Sequence, residues 1–284
     1  MTQLPPINRQ TLIAEARTIV EILERGEYEG PAGQVNIQAD LVRLTVGTRQ
    51  YLAEDTRALG ALPVTQHAAQ STHISVTRET TIAAAQRLLD ARPSPVAVLN
   101  FASATSPGGG FLTGSAAQEE SLARASGLYH VLQQHPEYYA AHQGFGDRLY
   151  SDRMLFSRDV PVFRDADGRW LGRPWYLDVL TAAAPNLRRL TEAEVSNITP
   201  EAQAALARRV ELVLTLFAHH RCTRLVLGAW GCGAFRNDPD HVASVFARLL
   251  STSFQGVFDE VVFAVFATPA EERNVLAFER HLMR

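Results

Sequence analysis

Twice in this chain an apolar run of the kind that fills a buried strand ends in a glycine-rich loop, and a helical pattern follows. Residues 96–101 lead to Gly108-Gly109-Gly110 and then to a helix expected over about 117–134. Residues 225–230 lead to Gly231-Cys232-Gly233-Ala234-Phe235 and then to a helix over 239–250. Unbroken apolar runs mark strands covered on both faces. Strands alternating with helices build a layered α/β domain around a largely parallel sheet. Ligands of such sheets gather outside the carboxyl ends of the strands, where both glycine loops fall.

The remaining segments fill in the pattern. Residues 9–25 read as an amphipathic helix with Leu12, Ala16, Ile19, Val20 and Leu23 on one face, ended by Gly30-Pro31-Ala32-Gly33. Partial alternation over 35–50 predicts a hairpin or short strands. A strand is expected over 73–77, a helix over 80–89, and a break at Arg92-Pro93-Ser94-Pro95. Further strands are expected over 175–184 and 261–266, with a long helix over 200–219. There is no internal repeat or low-complexity tract, and no flexible linker sets off the first ninety residues.

A net charge of -3 supplies no global basic field, so direct DNA binding is not expected and any anion must be held by local geometry. No lysine occurs; all 27 basic residues are arginine. Codon bias is the plain explanation, yet the chemistry is narrowed all the same. A Schiff-base lysine, a P-loop lysine and a lysine general base are excluded, and arginine is left for cationic phosphate recognition. Two cysteines, Cys222 and Cys232, are too few for a disulfide framework or a zinc cluster and point to a reducing cytoplasm. The first residues lack the pattern of a signal peptide, and no apolar run is long enough to span a membrane.

The first loop carries the acid–base candidates. Ser115-Ala116-Ala117-Gln118 has capping-box spacing, with serine as the cap and glutamine at the third helical position. Glu119 and Glu120 then fall in or just past the first turn. Acidic residues there stabilise the helix dipole by ~0.3–1 kcal/mol, a purely structural reason for both. The triple glycine and the buried strand before it favour a functional one: glycines let a backbone approach a ligand closely, and a helix start directs free N–H groups at anions. Adjacent helical residues point about 100° apart, so one glutamate can hold substrate hydroxyls while the other handles a proton. A carboxylate at a helix N-terminus has its ionised form favoured, which opposes a general-acid role; a bound substrate phosphate offsets this.

In the second loop, small residues expose N–H groups that can cradle a diphosphate. Neither loop matches a Walker motif or a full dinucleotide fingerprint. Cys232 reads as a small loop residue, because no partnering base follows it. His130, His135 and His142 lack metal-ligand spacing. Phe235 and Phe266 are core residues by composition, but their places at strand ends beside loops make them candidate ligand platforms.

Gly108-Gly109-Gly110, then Gln118-Glu119-Glu120, with the loop from Gly228 to Asp238 downstream, resembles the bacterial-type poly(ADP-ribose) glycohydrolases. The resemblance covers roughly residues 95–270. It implies a three-layer α/β/α macrodomain-like sandwich with a mixed, largely parallel sheet. Residues 1–284 are expected to form one catalytic domain, with about 1–90 as an N-terminal extension packed on an ADP-ribose-binding core. By the same resemblance, Glu120 protonates the leaving ribose 2′-oxygen and then takes a proton from the attacking water, while Glu119 binds ribose hydroxyls with support from Gln118. Gly108, Gly109 and Gly110 shape the ribose and phosphate pocket; Gly231, Cys232, Gly233 and Ala234 hold the diphosphate through N–H groups. Phe235 packs on the reacting ribose, Phe266 stacks on adenine and Asn100 binds a terminal ribose hydroxyl. No metal or cofactor is called for, and the partners are poly(ADP-ribose), ADP-ribose and ADP-ribosylated proteins carrying the polymer.

Glycosidic cleavage needs leaving-group protonation and passes through an oxocarbenium-like state. The two carboxylates here are sequence neighbours, so one of them switching from acid to base is the economical scheme. Two competing functions share the fold: a noncatalytic ADP-ribose reader, against which Gln118-Glu119-Glu120 argues, and a hydrolase of single ADP-ribose units on proteins.

Overall fold

Ala97 and Leu99 face one way and Val98 the other, each into its own apolar cluster. Such a strand lies at the centre of a sheet with helices on both sides. The computed structural model, which describes residues 8–60, 71–143, 148–188, 192–266 and 272–283, bears this out.

From the N-terminus, α1 (Arg9–Arg25) leads into a hairpin of β1 (Glu27–Gly30) and β2 (Gly33–Asn36). Next come α2 (Gln38–Gly47), β3 (Thr48–Tyr51), α3 (Ala53–Gly60), β4 (His73–Thr77) and α4 (Thr81–Ala91). The central strand β5 (Ala97–Phe101) precedes α5 (Gln118–Ala125), α6 (Leu128–Leu132) and α7 (Pro136–Gln143). The long hairpin of β6 (Met154–Arg164) and β7 (Trp170–Ala182) is followed by α8 (Glu192–His219), β8 (Arg224–Leu227), α9 (Pro239–Ser251), β9 (Glu260–Ala264) and α10 (Glu272–Leu282).

Seven strands make one mixed sheet in the order β3-β6-β7-β5-β8-β9-β4. The run from β7 to β4 is parallel, and β6 and β3 join antiparallel. Helices α4 to α7 cover one face and α8 to α10 the other, giving the α/β/α sandwich. Alternation repeats on neighbouring strands: Leu225, Leu227, Val261 and Phe263 join the α8–α10 side, Val226 and Val262 the opposite side. A third cluster packs Ala16, Ile19, Ile22 and Leu23 of α1 against Tyr28, Phe111, Tyr129 and Phe163. Phe111 directly follows the triple glycine, so the N-terminal helix buttresses that loop; Arg9 Nε also donates to Thr113 O (2.8 Å).

Several expectations are corrected. Residues 35–50 hold mainly a helix, α2, whose inward side is short (Asp40, Leu41, Leu44). The glycine that ends α1 is Gly26, in the left-handed region, while Gly30 and Gly33 pair across the β1–β2 turn. The expected single helix over 117–134 is two, broken at Ser126 and Gly127, where Ser126 bridges to Val162 and Gly127 N–H donates to Pro161 O. Helix α8 begins at Glu192, ahead of Pro200, and β7 begins at Trp170.

Candidate functional site

The parallel strands bring the ends of β5, β7, β8 and β9 to one edge of the sheet, and the two glycine loops meet there. Strand β5 pairs with β8 only at Ala97 and Val98. Further along, the Gln118 amide takes over: its Oε1 accepts from Phe101 N–H (2.9 Å), and its Nε2 donates to Leu99 O (2.8 Å) and Thr81 Oγ1 (3.1 Å). Gln118 therefore pins the start of α5 to β5. The expected capping box is not formed; the cap position is Ala117, without a side-chain bond, and Gln118 is the first helical residue.

Glu119 and Glu120 sit in the first turn, both buried. Ser103 N–H donates to Glu119 Oε2 (2.6 Å) and Asn100 Nδ2 to Glu119 Oε1 (3.4 Å); Asn100 Nδ2 also donates to Thr181 Oγ1 (3.2 Å). Glu120 Oε1 accepts from Gly110 N–H (2.7 Å), and Glu120 Oε2 is buried with no partner among the described residues. The two carboxylates converge despite their helical offset. A Cβ on Gly109 would stand 2.6 Å from Glu120 Oε1 and 2.9 Å from Glu119 Oε2, and Gly109 has φ +60°, so only glycine fits between them. Their hydrogen-bond partners still differ. Burial, reinforced by the neighbouring Glu120 charge, pushes the Glu119 carboxyl up to about 8 against the pull of the Ser103 and Asn100 donors. One turn on, Arg124 is buried beside Glu120, with its Nη1 donating to Ser115 O (2.8 Å).

The second loop is folded so that its N–H groups stay available. The N–H groups of Gly231, Gly233, Ala234 and Phe235 make no hydrogen bond among the described residues, and Gly233 and Ala234 are exposed; the Cys232 N–H, expected among the diphosphate donors, is instead used within the loop, donating to Ala229 O (3.1 Å). Four such free donors at the end of a strand can form an anion cradle. Trp230 anchors the loop, fully buried with Nε1 donating to Ala182 O (3.0 Å). Asn237 Nδ2 donates to Pro185 O (2.7 Å) and Gly231 O (3.0 Å). A Cβ on Gly231 would meet Asn237 Nδ2 at 2.6 Å and Ala184 Cβ at 2.7 Å. Cys232 is a free thiol pushed up by burial, which denies it nucleophilic character. Phe235 is half-buried at the loop's end, its ring 6.3 Å from Tyr150, whereas Phe266 is 67% exposed just past β9. Gly108 and Gly110 flank the carboxylate loop; Asn100 lies beneath it.

A family model described as the microbial-type PARG catalytic domain matches residues 16–165, more than half of the chain. The chain belongs to this family. PARG is poly(ADP-ribose) glycohydrolase, and the family hydrolyses poly(ADP-ribose). Among solved structures, the PARG of Thermomonospora curvata is 45% identical with a TM-score of 0.90, covering 96% of this chain and 100% of its own. The same enzyme bound to the inhibitor ADP-HPD is 46% identical with a TM-score of 0.87, covering 95% of this chain and 99% of its own. The PARG of Deinococcus radiodurans in complex with ADP-ribose is 40% identical with a TM-score of 0.78, covering 88% of this chain and 98% of its own. No curated protein matches.

Residues beyond the expected set are held at the same sheet edge. Arg209, 1% exposed on α8, donates Nε to Asp152 (2.9 Å), Nη1 to Ala183 O (3.1 Å) and Nη2 to Tyr150 O (2.7 Å) and Leu149 O. It thereby ties the segment before β6 to the end of β7. Asn186 Nδ2 donates to Tyr150 Oη (2.9 Å), and Leu187 N–H donates to Phe235 O (2.8 Å), joining both segments to the second glycine loop. A sequence signal for Arg209 existed: it shares the inward side of its helix with Ala205, Leu206, Val210 and Val213. His130, His135 and His142 do not form a metal site; among the described residues no group of three or more His, Cys, Asp or Glu could hold one. Burial holds His142 down to about 4, so its ring is neutral and accepts from Ser151 N–H (3.1 Å). No helix of the described residues is long and apolar enough to cross a membrane.

Proposed function

We propose that Glu120 is the general acid and base with which this PARG cleaves the ribose–ribose O-glycosidic bonds of poly(ADP-ribose), releasing ADP-ribose. The observation that carries this is the contrast between the two carboxylates. Glu119 has both oxygens engaged by Ser103 and Asn100, whereas Glu120 is held at one oxygen by Gly110 N–H and keeps Oε2 unpartnered. In the substrate complex, a proton on that oxygen passes to the leaving 2′-oxygen. The carboxylate so formed then takes a proton from water attacking the anomeric carbon, which regenerates the acid.

The other roles follow from position. Glu119 and Asn100 bind ribose hydroxyls, Gln118 fixes the helix start, and Gly108 to Gly110 bring the backbone against the sugar. The free N–H groups of Gly231, Gly233, Ala234 and Phe235 hold the diphosphate, with Cys232 as a spacer. The negative diphosphate stabilises the positive sugar of the transition state. The Phe235 ring backs the reacting ribose, and the exposed Phe266 ring stacks on adenine. The packing of α1 on Phe111 supports reading 1–284 as one catalytic domain with an N-terminal extension. Two free cysteines fit a reducing cytoplasm, and the polymer's carriers are ADP-ribosylated proteins.

The test offers purified protein long polymer, mono-ADP-ribosylated protein and free ADP-ribose. Release of ADP-ribose from polymer is expected. Intact polymer together with normal ADP-ribose binding refutes the assignment in favour of a reader.

A further inference from the structure

The strand order β7-β5-β8-β9 sets the loops along the site edge in the same order. On the proposed reading, adenosine lies at Phe266 past β9, the diphosphate over the loop after β8, and the reacting ribose at Glu119 and Glu120 beyond β5. The remaining polymer therefore leaves across the end of β7.

At that place three arginines are gathered by the backbone. Asn186 N–H donates to Arg148 O (2.8 Å), and Arg188 N–H donates to Asn186 Oδ1 (3.0 Å). Arg148 Nη1 donates to Arg188 O (2.5 Å). The Leu187 N–H to Phe235 O bond brings in Arg236, the next residue on the second loop. All three arginines are exposed, and none has a carboxylate within ion-pair distance among the described residues. Some exposed arginines elsewhere are paired, as Arg78 is with Glu272, Arg87 with Glu79, Arg169 with Asp165 and Arg273 with Asp238, and others, such as Arg17 and Arg173, are not paired among the described residues. What distinguishes Arg148, Arg188 and Arg236 is that the backbone groups them at one end of the sheet. The acid of this rim, Asp152, is already held by Arg208 and Arg209. In a chain of net charge -3, that is a local cationic surface set against the overall sign.

The geometry points to an outer subsite in which Arg148, Arg188 and Arg236, beside the Tyr150 ring, bind the diphosphate of the ADP-ribose unit next to the one being released. This rests on the hydrolase reading above. The guanidinium fork suits phosphate oxygens, and exposure makes the attraction sensitive to salt. A free ADP-ribose molecule fills only the inner cradle and does not reach these arginines.

The test compares native protein with the double variant Arg188→Glu/Arg236→Glu on three probes: long polymer, para-nitrophenyl ADP-ribose (whose leaving group carries no diphosphate) and ADP-ribose itself. The KM for polymer is expected to rise about tenfold with little change in kcat, as loss of charge complementarity away from the reacting atoms implies. The dependence of log kcat/KM on log salt should flatten by about 1 for each phosphate that the protein no longer neutralises. Turnover of the aryl substrate and the Kd for ADP-ribose should stay within about twofold. An unchanged polymer KM overturns the subsite. So does an ADP-ribose Kd that weakens as much as the polymer KM, since the arginines then belong to the inner cradle. If the double variant does not fold, Arg188→Gln/Arg236→Gln gives the same comparison with a smaller KM change. Failure of the hydrolase reading is seen separately, in native protein that leaves polymer intact.

Discussion

Alanine at Gly109 places one methyl where the two carboxylates meet. Its Cβ would lie 2.6 Å from Glu120 Oε1 and 2.9 Å from Glu119 Oε2. A carbon–oxygen approach settles near ~3.3 Å, so Glu120 must withdraw by roughly 0.7 Å or turn its head away. A misplacement of about 1 Å costs on the order of 100-fold in rate. The backbone at φ +60° adds ~1–2 kcal/mol for any residue with a Cβ. Gly109→Ala should therefore lower kcat on polymer by about 30- to 100-fold and lower Tm by a few degrees, at about 2–4 °C per kcal/mol. ADP-ribose affinity should fall much less, because the diphosphate donors lie on the other loop. Steady-state kinetics on polymer, ADP-ribose calorimetry and thermal unfolding measure the three quantities. A variant with the expected Tm loss but kcat within about threefold of native refutes the claim that this close approach sets the acid's position.

Glu119 gives a pH signature. Its carboxyl is held up at about 8 against an ordinary 4.5, so the folded state binds the proton more tightly, and this contribution to stability is full below pH 4.5 and lost as pH rises through 8. At about 1.4 kcal/mol per pH unit, the loss by pH 7 is roughly 3 kcal/mol; Glu119→Gln should flatten the decline of unfolding free energy between pH 5 and 8, and an unchanged slope contradicts it. Cys232→Ser should keep kcat within about twofold and native protein should resist alkylation at this thiol, because burial keeps it protonated; loss of activity on thiol modification with an intact fold would speak against a spacer role.

What the sequence revealed and what it hid follow from the range of the forces involved. The buried strands and the two loops were legible because runs such as 96–101 and 225–230 must be covered on both faces, which fixes a parallel α/β sheet. Residues 35–50 misled because α2 turns only Asp40, Leu41 and Leu44 inward, too few for a helical period to show. The apparent cap at Ser115 failed for a tertiary reason: Gln118 is drawn to the open edge of β5, which moves the cap to Ala117 and the helix start to Gln118. That Glu119 and Glu120 converge on Gly109 is likewise set by the loop's path, which α1 fixes through Phe111 from a hundred residues away. Arg209 shows its inward place on α8 in the sequence, but its partners, and those of Tyr150, do not show, because they are main-chain oxygens, Asp152 and Asn186, all distant in sequence. Main-chain acceptors leave no residue-type signature.

The central claim is that Glu120 carries the proton while the rest of the site binds. Glu120→Gln keeps the side chain's size and lets its amide oxygen accept from Gly110 N–H, but removes the acid. Measured on poly(ADP-ribose), kcat should collapse by on the order of 10³-fold or more, while calorimetry with ADP-ribose gives a Kd within about threefold of native. Native-like turnover of polymer by Glu120→Gln would contradict the account.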